Sequence, residues 1–450
     1  MRLSRTPSTA RTTARRLAVA TLGAALTLGG LAACTSGERS GALESTTPPA
    51  AAANTSPPPG AGSADPSASP SPGGTTAPSA TETAAPTPAA SSAFTPSKPS
   101  GPTTVWADNS MVPHLFFHSL IVNPKVAFAD QESGAGYADY MVTVGEFRKM
   151  LNQVYKKGYV LVSPHQLGRV DAKGRMHAKT LRVPKGKKPL VLSIDDVSYY
   201  EYMEGDGFAS KLVVSDDGSV KTEYTDPTTK KTSVGDYDVM PIVDDFVAEH
   251  PDFAPYGYKG VIALTGYNGV LGYRSSPTIY GPQGAETRED PAKENKHLQT
   301  DIAQATRVAN ALKASGWEFA SHSWGHINFT TSSLERITAD NERWKKDVEP
   351  ITGPTDLLIY PFGADISGVP KYTGAKYDYL KKQGFSFFFN VDGSTPAWGQ
   401  WGQGYLREAR FNVDGISMKR ALDGHPELGN FFNVKSVLDP ARPQSISGQH

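Results

Sequence analysis

The chain of 450 residues carries 45 lysines and arginines against 45 aspartates and glutamates, so it has no formal net charge. That balance gives no reason to expect a nucleic-acid partner, and none to expect electrostatic adhesion to an anionic membrane. One cysteine excludes an internal disulfide in any compartment.

Residues 1–34 run from MRLSRTPSTARTTARR into LAVATLGAALTLGGLAAC: a basic region, a short apolar region, then small residues up to Cys34. This is the anatomy of a bacterial export signal, too short and too punctuated for a stable spanning helix. LAAC resembles the lipobox of bacterial lipoproteins, which implies cleavage before Cys34, a lipid on its thiol, and anchoring at the outer face of the cell membrane. An ordinary signal peptide cleaved nearby is the alternative. Residues 35–105 are dominated by Pro, Ala, Ser, Thr and Gly. They lack the apolar side chains that offset ordering entropy, which predicts a disordered tether.

Residues 106–437 have globular composition, and 438–450 form a tail. Strand-like runs (HLFFHSLIV, GYVLVS, PLVLSID, KGVIALTG, WEFASH, DLLIYPFG, FSFFFNV, YLREARFNV) alternate with helical segments. Thr143 and Glu146 stand in capping-box spacing, with Phe147, Met150, Leu151 and Val154 on one face and Gly158 as the stop. A second helix places Leu298, Ile302, Ala305, Ala309 and Leu312 on one face, and Ser332 with Glu335 open a third. Such alternation predicts an α/β fold, either a barrel or an open doubly wound sheet, with its chemistry at the carboxyl ends of the strands. Residues 201–237 break the rhythm: KLVVSDDGSVKTEY reads as an inserted β-hairpin.

Two features point to chemistry. SHSWGH sets His322 and His326 four positions apart, where one helical turn would bring both imidazoles to one point; a polar first helical turn is the plain alternative. PLVLSIDD ends a strongly apolar strand on Asp195 and Asp196. Adjacent residues on a strand face opposite ways, so at its fraying end one carboxylate can face a metal and the other its water. Two other aspartate pairs have plainer settings: Asp216-Asp217 precedes a turn glycine, and Asp244-Asp245 lies on a helix face expected to be solvated.

Together these residues resemble the polysaccharide deacetylases with a NodB-homology domain, carbohydrate esterase family four. Ser193-Ile194-Asp195-Asp196-Val197 is similar to the first family motif, His322-Ser323-Trp324-Gly325-His326 to the second, and Tyr360-Pro361-Phe362-Gly363 to the third. VPHLFFHSL, followed by VTVGEFRKMLNQVYKKGYVLVSPHQL, resembles the permuted poly-N-acetylglucosamine deacetylase-like branch. The resemblance implies a distorted (β/α) barrel of about seven parallel strands and a divalent metal, zinc above others, held by Asp196, His322 and His326. It makes Asp195 the general base and His118 the acid, with the Phe362 N–H at the oxyanion. Tyr360, Trp324 and Tyr267 join Phe362 as candidates for lining the substrate. Val197 departs from the motif's glycine, and Ile359 stands where many members carry an arginine that positions the base. Arg410 could take over that task, although a surface ion pair explains it equally. The implied reaction is removal of N-acetyl groups from an acetylated, N-acetylglucosamine-type polysaccharide outside the cell. A catalytically lapsed carbohydrate-binding lipoprotein and an O-acetyl esterase are the alternatives.

Overall fold

Seven apolar strands close on one another in chain order in the computed structural model, which describes residues 94–282 and 294–443. They are β1 (His114–Phe117), β2 (Lys188–Ile194), β3 (Gly260–Leu264), β4 (Trp317–Ser321), β5 (Leu357–Ile359), β6 (Phe387–Val391) and β7 (Leu406–Asn412). Each pairs in parallel with the next, and β7 pairs with β1 to close the barrel. The export signal, Cys34 and the tether as far as residue 93 lie outside the described residues. No helix among the described residues is long and apolar enough to cross a membrane.

Burial on both faces explains why these strands read as unbroken apolar runs. Along β2, Leu190, Leu192 and Ile194 pack outward against the helical layer. Val191 points inward, to a cluster with Val261, Ala263, Ala320, Leu357, Ile359, Phe387, Phe389 and Leu406. The same period of two places His114, Ser193, Glu408 and Arg410 inside the barrel.

The helices are α1 (Val144–Lys156), α2 (Val239–Glu249), α3 (Leu298–Ala314), α4 (Leu334–Asp347), α5 (Ala375–Lys382) and α6 (Gly415–Leu422). The Thr143–Glu146 capping box forms, and Phe147, Met150, Leu151 and Val154 are buried. Four such side chains, at about 1.5–3 kcal/mol each, outweigh any propensity difference along α1. Helix α4 begins one residue later than its spacing suggested: Ser333, not Ser332, accepts from the Arg336 N–H. Asp244 corrects another expectation. It lies on α2, yet it is not solvated, because it accepts from Trp317 Nε1 at 2.8 Å and pairs with Lys259 at 2.8 Å.

The insertion contains the expected hairpin, Lys211–Val214 with Val220–Thr225, turning at Asp216-Asp217-Gly218. A third strand, Thr232–Gly235, adds to it. Ordered contacts exceed the expected limits of 106 and 437. Thr103–Val105 pairs with Arg182–Pro184, and Arg442 pairs with Glu146 at 2.6 Å.

At the amino ends of β4 and β5, His165 bridges two carboxylates, Glu318 at 2.5 Å and Asp356 at 2.8 Å. Burial alone would lower its pKa, but Asp356 and Glu318 push it up to about 10. A group whose folded pKa is raised contributes fully below its ordinary value near 6.5 and loses that contribution as pH rises toward 10. The melting-temperature gap between wild type and His165→Gln should therefore be largest at pH 6 and shrink by pH 10. With the side chain 39% exposed, solvent screening limits the effect to about 1 kcal/mol. Thermal melts across that range check it.

Candidate active site

The carboxyl end of β2 delivers two carboxylates. Asp195 continues the inward face of Val191 and Ser193, and its N–H donates to Phe117 O at 2.8 Å. Asp196 then adopts φ +60°, a left-handed conformation that costs a non-glycine residue roughly 1–2 kcal/mol. The flip cancels strand alternation. Instead of facing opposite sides, both carboxylates approach His322 Nε2, Asp195 at 3.8 Å and Asp196 at 4.0 Å. Val197, which departs from the motif's glycine, is absent from the left-handed residues and is fully buried in the core. The turn needs its unusual backbone one residue earlier, so valine fits.

His322 and His326 are not a helical pair. His322 follows directly on β4, and the loop after it reaches His326 through left-handed Ser323 (φ +55°) and His326 (φ +51°). Asp340 on α4 holds this loop, its carboxylate accepting from the N–H groups of Trp324 at 2.7 Å and Gly325 at 2.8 Å. The rings meet with centroids 5.0 Å apart.

One ligand atom each from Asp196, His322 and His326 lies within 4.8 Å of the other two. His322 Nδ1 is 2.8 Å from the Ile359 carbonyl. A carbonyl only accepts, so Nδ1 carries the proton and Nε2 presents a lone pair to the centre. Burial, against the pull of Asp196, holds His326 down at about 4, so its imidazole is neutral at pH 7. Burial would raise the Asp196 pKa, but His326 and His322 hold it below the usual carboxylate value. Tyr200 donates its phenol to Asp196 Oδ1 at 2.5 Å, while Oδ2 stands 3.6 Å from His326 Nε2. Two imidazoles and one oriented carboxylate suit a divalent cation and would leave coordination positions free.

Arg410 is an interior residue, not part of a surface pair. Its Nη1 donates to Asp195 Oδ1 at 2.7 Å and lies 3.3 Å from Ser193 Oγ, and its guanidinium covers the Phe116 ring at 4.0 Å. Burial would raise the Asp195 pKa, but Arg410 and then His322 override it and keep the group near 2. Beneath the pair, His114 links Ser193 Oγ at 2.9 Å to Glu408 at 3.2 Å. His114, Ser193, Glu408 and Tyr200 went unread in the sequence. The signal was present for His114 and Glu408, which precede His118 and Arg410 at strand periods of four and two.

His118 follows β1 on the inward side and is half-buried, with a buried Nδ1 that has no hydrogen-bond partner among the described residues. It is near enough for its charge to bear on both Asp195 and Asp196. Phe362, at φ +60°, sets its ring 4.4 Å from that of His326. Two expected substrate contacts are structural instead. Trp324 is 7% exposed, donates Nε1 to Asp347 at 2.9 Å, and packs so tightly on Gly266 that a Cβ there would come within 2.2 Å of its ring. Tyr360, next after inward Ile359, faces outward and is fully buried among Phe329, Tyr372 and Phe388.

Residues 294–388 match the family model for polysaccharide deacetylase. The matched segment contains His322, His326 and Tyr360 to Gly363, and ends before Arg410. No curated protein matches the chain. Among solved structures it is similar to the Streptococcus pyogenes deacetylase PplD in complex with acetate, at 14% identity, over 70% of this chain and 98% of that one, with a TM-score of 0.34.

Proposed function

We propose, from the premise that this chain carries a polysaccharide deacetylase domain, that it removes N-acetyl groups from an N-acetylglucosamine-type polysaccharide with a divalent metal, preferably zinc. The observation that carries this reading is the meeting of Asp196, His322 and His326 around one point, with the ionised Asp195 beside them. Such a cation supplies Lewis acidity to the acetamide carbonyl and makes water nucleophilic at neutral pH.

The protein's own groups do the rest. Asp195 accepts the proton of the attacking water. Arg410 weakens it as a base but keeps it a carboxylate at every working pH and fixes its orientation. The Phe362 backbone N–H takes the developing oxyanion, following the family resemblance. His118 donates a proton to the departing amine, following the family resemblance. The basic and apolar start of the chain and LAAC at Cys34 support export and lipid anchoring at the outer membrane face, beside cell-wall and extracellular glycans.

A chelator should lower acetate release by at least about 100-fold, and added zinc should restore it. Assays on N-acetylated and O-acetylated glycans in parallel decide the bond cleaved. Hydrolysis of O-acetyl esters alone would replace this reading, and glycan binding without turnover would end it. A Cys34→Ser variant should move the protein from the membrane to the soluble fraction.

A further inference from the structure

Immediately after the metal-binding carboxylate, the chain places Tyr199, Tyr200 and Tyr202 within four residues. Tyr199 is buried and donates to Asp238 at 2.6 Å. Tyr200 is also buried, bonded to Asp196 and 2.8 Å from Thr265 Oγ1. Its ring stacks with Tyr267, with centroids 5.2 Å apart at 17°, and with Tyr202, at 5.5 Å and 12°. Tyr202 differs from its neighbours: it is 58% exposed.

The backbone that carries Tyr202 is held without help from its ring. Arg274 donates to the carbonyl of Tyr199 at 2.9 Å and to the Glu204 carboxylate at 3.0 Å. Asn268 accepts from the Glu201 N–H at 2.7 Å, and Tyr280 donates to Glu201 Oε1 at 2.9 Å. A single exposed aromatic needs no explanation. One fixed at both flanks, its ring stacked nearly parallel on a tyrosine bonded to the candidate metal-binding carboxylate, offers a preformed flat face next to the reaction centre.

We propose that Tyr202 is a subsite for a second pyranose ring of the same polysaccharide, next to the sugar whose acetamide is cleaved. A pyranose has an apolar face of axial C–H groups and a polar rim. An exposed tyrosine offers a complementary face with a wet hydroxyl at its edge, and two side-chain torsions keep the ordering cost low. The subsite deepens the deacetylase reading and rests on it: the enzyme works on stretches of chain and discriminates against isolated sugars. It belongs to the segment after β2 that carries the insertion, outside the residues matched to the family model.

The test measures acetate release by the intact protein from N-acetylglucosamine oligomers of one to six units, in β-1,4 and β-1,6 series. Tyr202→Ala should raise KM for the longer oligomers about tenfold with kcat nearly unchanged, and leave the monosaccharide unaffected. Tyr202→Trp should restore the wild-type length dependence. Equal losses at every length, which would mean damage passed through Tyr200 to Asp196, overturn the proposal, as does no loss at any length. If wild type releases no acetate, the deacetylase reading fails on its own, and calorimetric binding of the hexamers then decides the subsite. Weaker binding by Tyr202→Ala sustains it; equal binding, or no binding by wild type, overturns it.

Discussion

Asp195→Asn should lower acetate release by about 10³-fold and also lower stability by a few kcal/mol. The kinetic loss follows from removing the proposed base, a contribution of about 10²–10⁴. The stability loss has a different origin. Burial pushes Glu408 up to about 8, so it is mostly protonated at pH 7, and lowers His114 well below its ordinary value, so it is neutral. Beneath the cluster of Asp196, His322 and His326, Asp195 is therefore the anion that balances Arg410 among the described residues, and the Arg410 side chain is 1% exposed. Asparagine leaves a buried guanidinium without a counter-charge, which typically costs about 3–5 kcal/mol. Arg410→Met should be inactive or nearly so, while the double variant should be more stable than Asp195→Asn. In denaturant titrations of the four proteins, the coupling should reach about 2–4 kcal/mol. Additive losses would show that the pair does not share its charge.

The barrel was legible because each strand is buried on both faces and is followed by a signal of another period or by a turn. The Thr143–Glu146 box and the run from Phe147 to Val154 are examples, since propensity, capping and burial agree there. The four residues that define the centre were legible by type and spacing, but their backbone was not. Asp196, Ser323 and His326 all take left-handed conformations, and none is a glycine whose presence would announce it. That is why His322 and His326 suggested a helical turn and the aspartates a simple alternation. Trp324 and Tyr360 misled for another reason. An aromatic next to a catalytic motif looks like a substrate wall, whereas strand parity sends Tyr360 outward and the contact with Gly266 seals Trp324 into the core. Tyr200 could not have been read, because its bond to Asp196 depends on the turn between them.

Asp340→Ala should weaken zinc binding about 10–100-fold although Asp340 touches no metal-binding atom of the centre. Its carboxylate is the acceptor for two N–H groups inside the loop joining His322 to His326. Alanine strands both donors, at about 1–3 kcal/mol each where they are buried. It also frees a segment in which Ser323 and His326 each hold a disfavoured backbone. The two ligands should respond unequally. His322 continues β4, with its ring fixed by the Ile359 carbonyl, and should stay in place. His326 lies at the far end of the loop and should move. Asp340→Asn keeps one acceptor oxygen and should fall between alanine and wild type. Competition against a chromogenic chelator, well below the melting temperature, separates this effect from general destabilisation. Because a ligand bound only by the native state stabilises it in proportion to RT ln(1 + [L]/Kd), excess zinc should raise the Tm of wild type by more than that of Asp340→Ala. Equal zinc affinity in the two proteins would mean that His326 is held by its packing against Phe362, not by the clamp from α4.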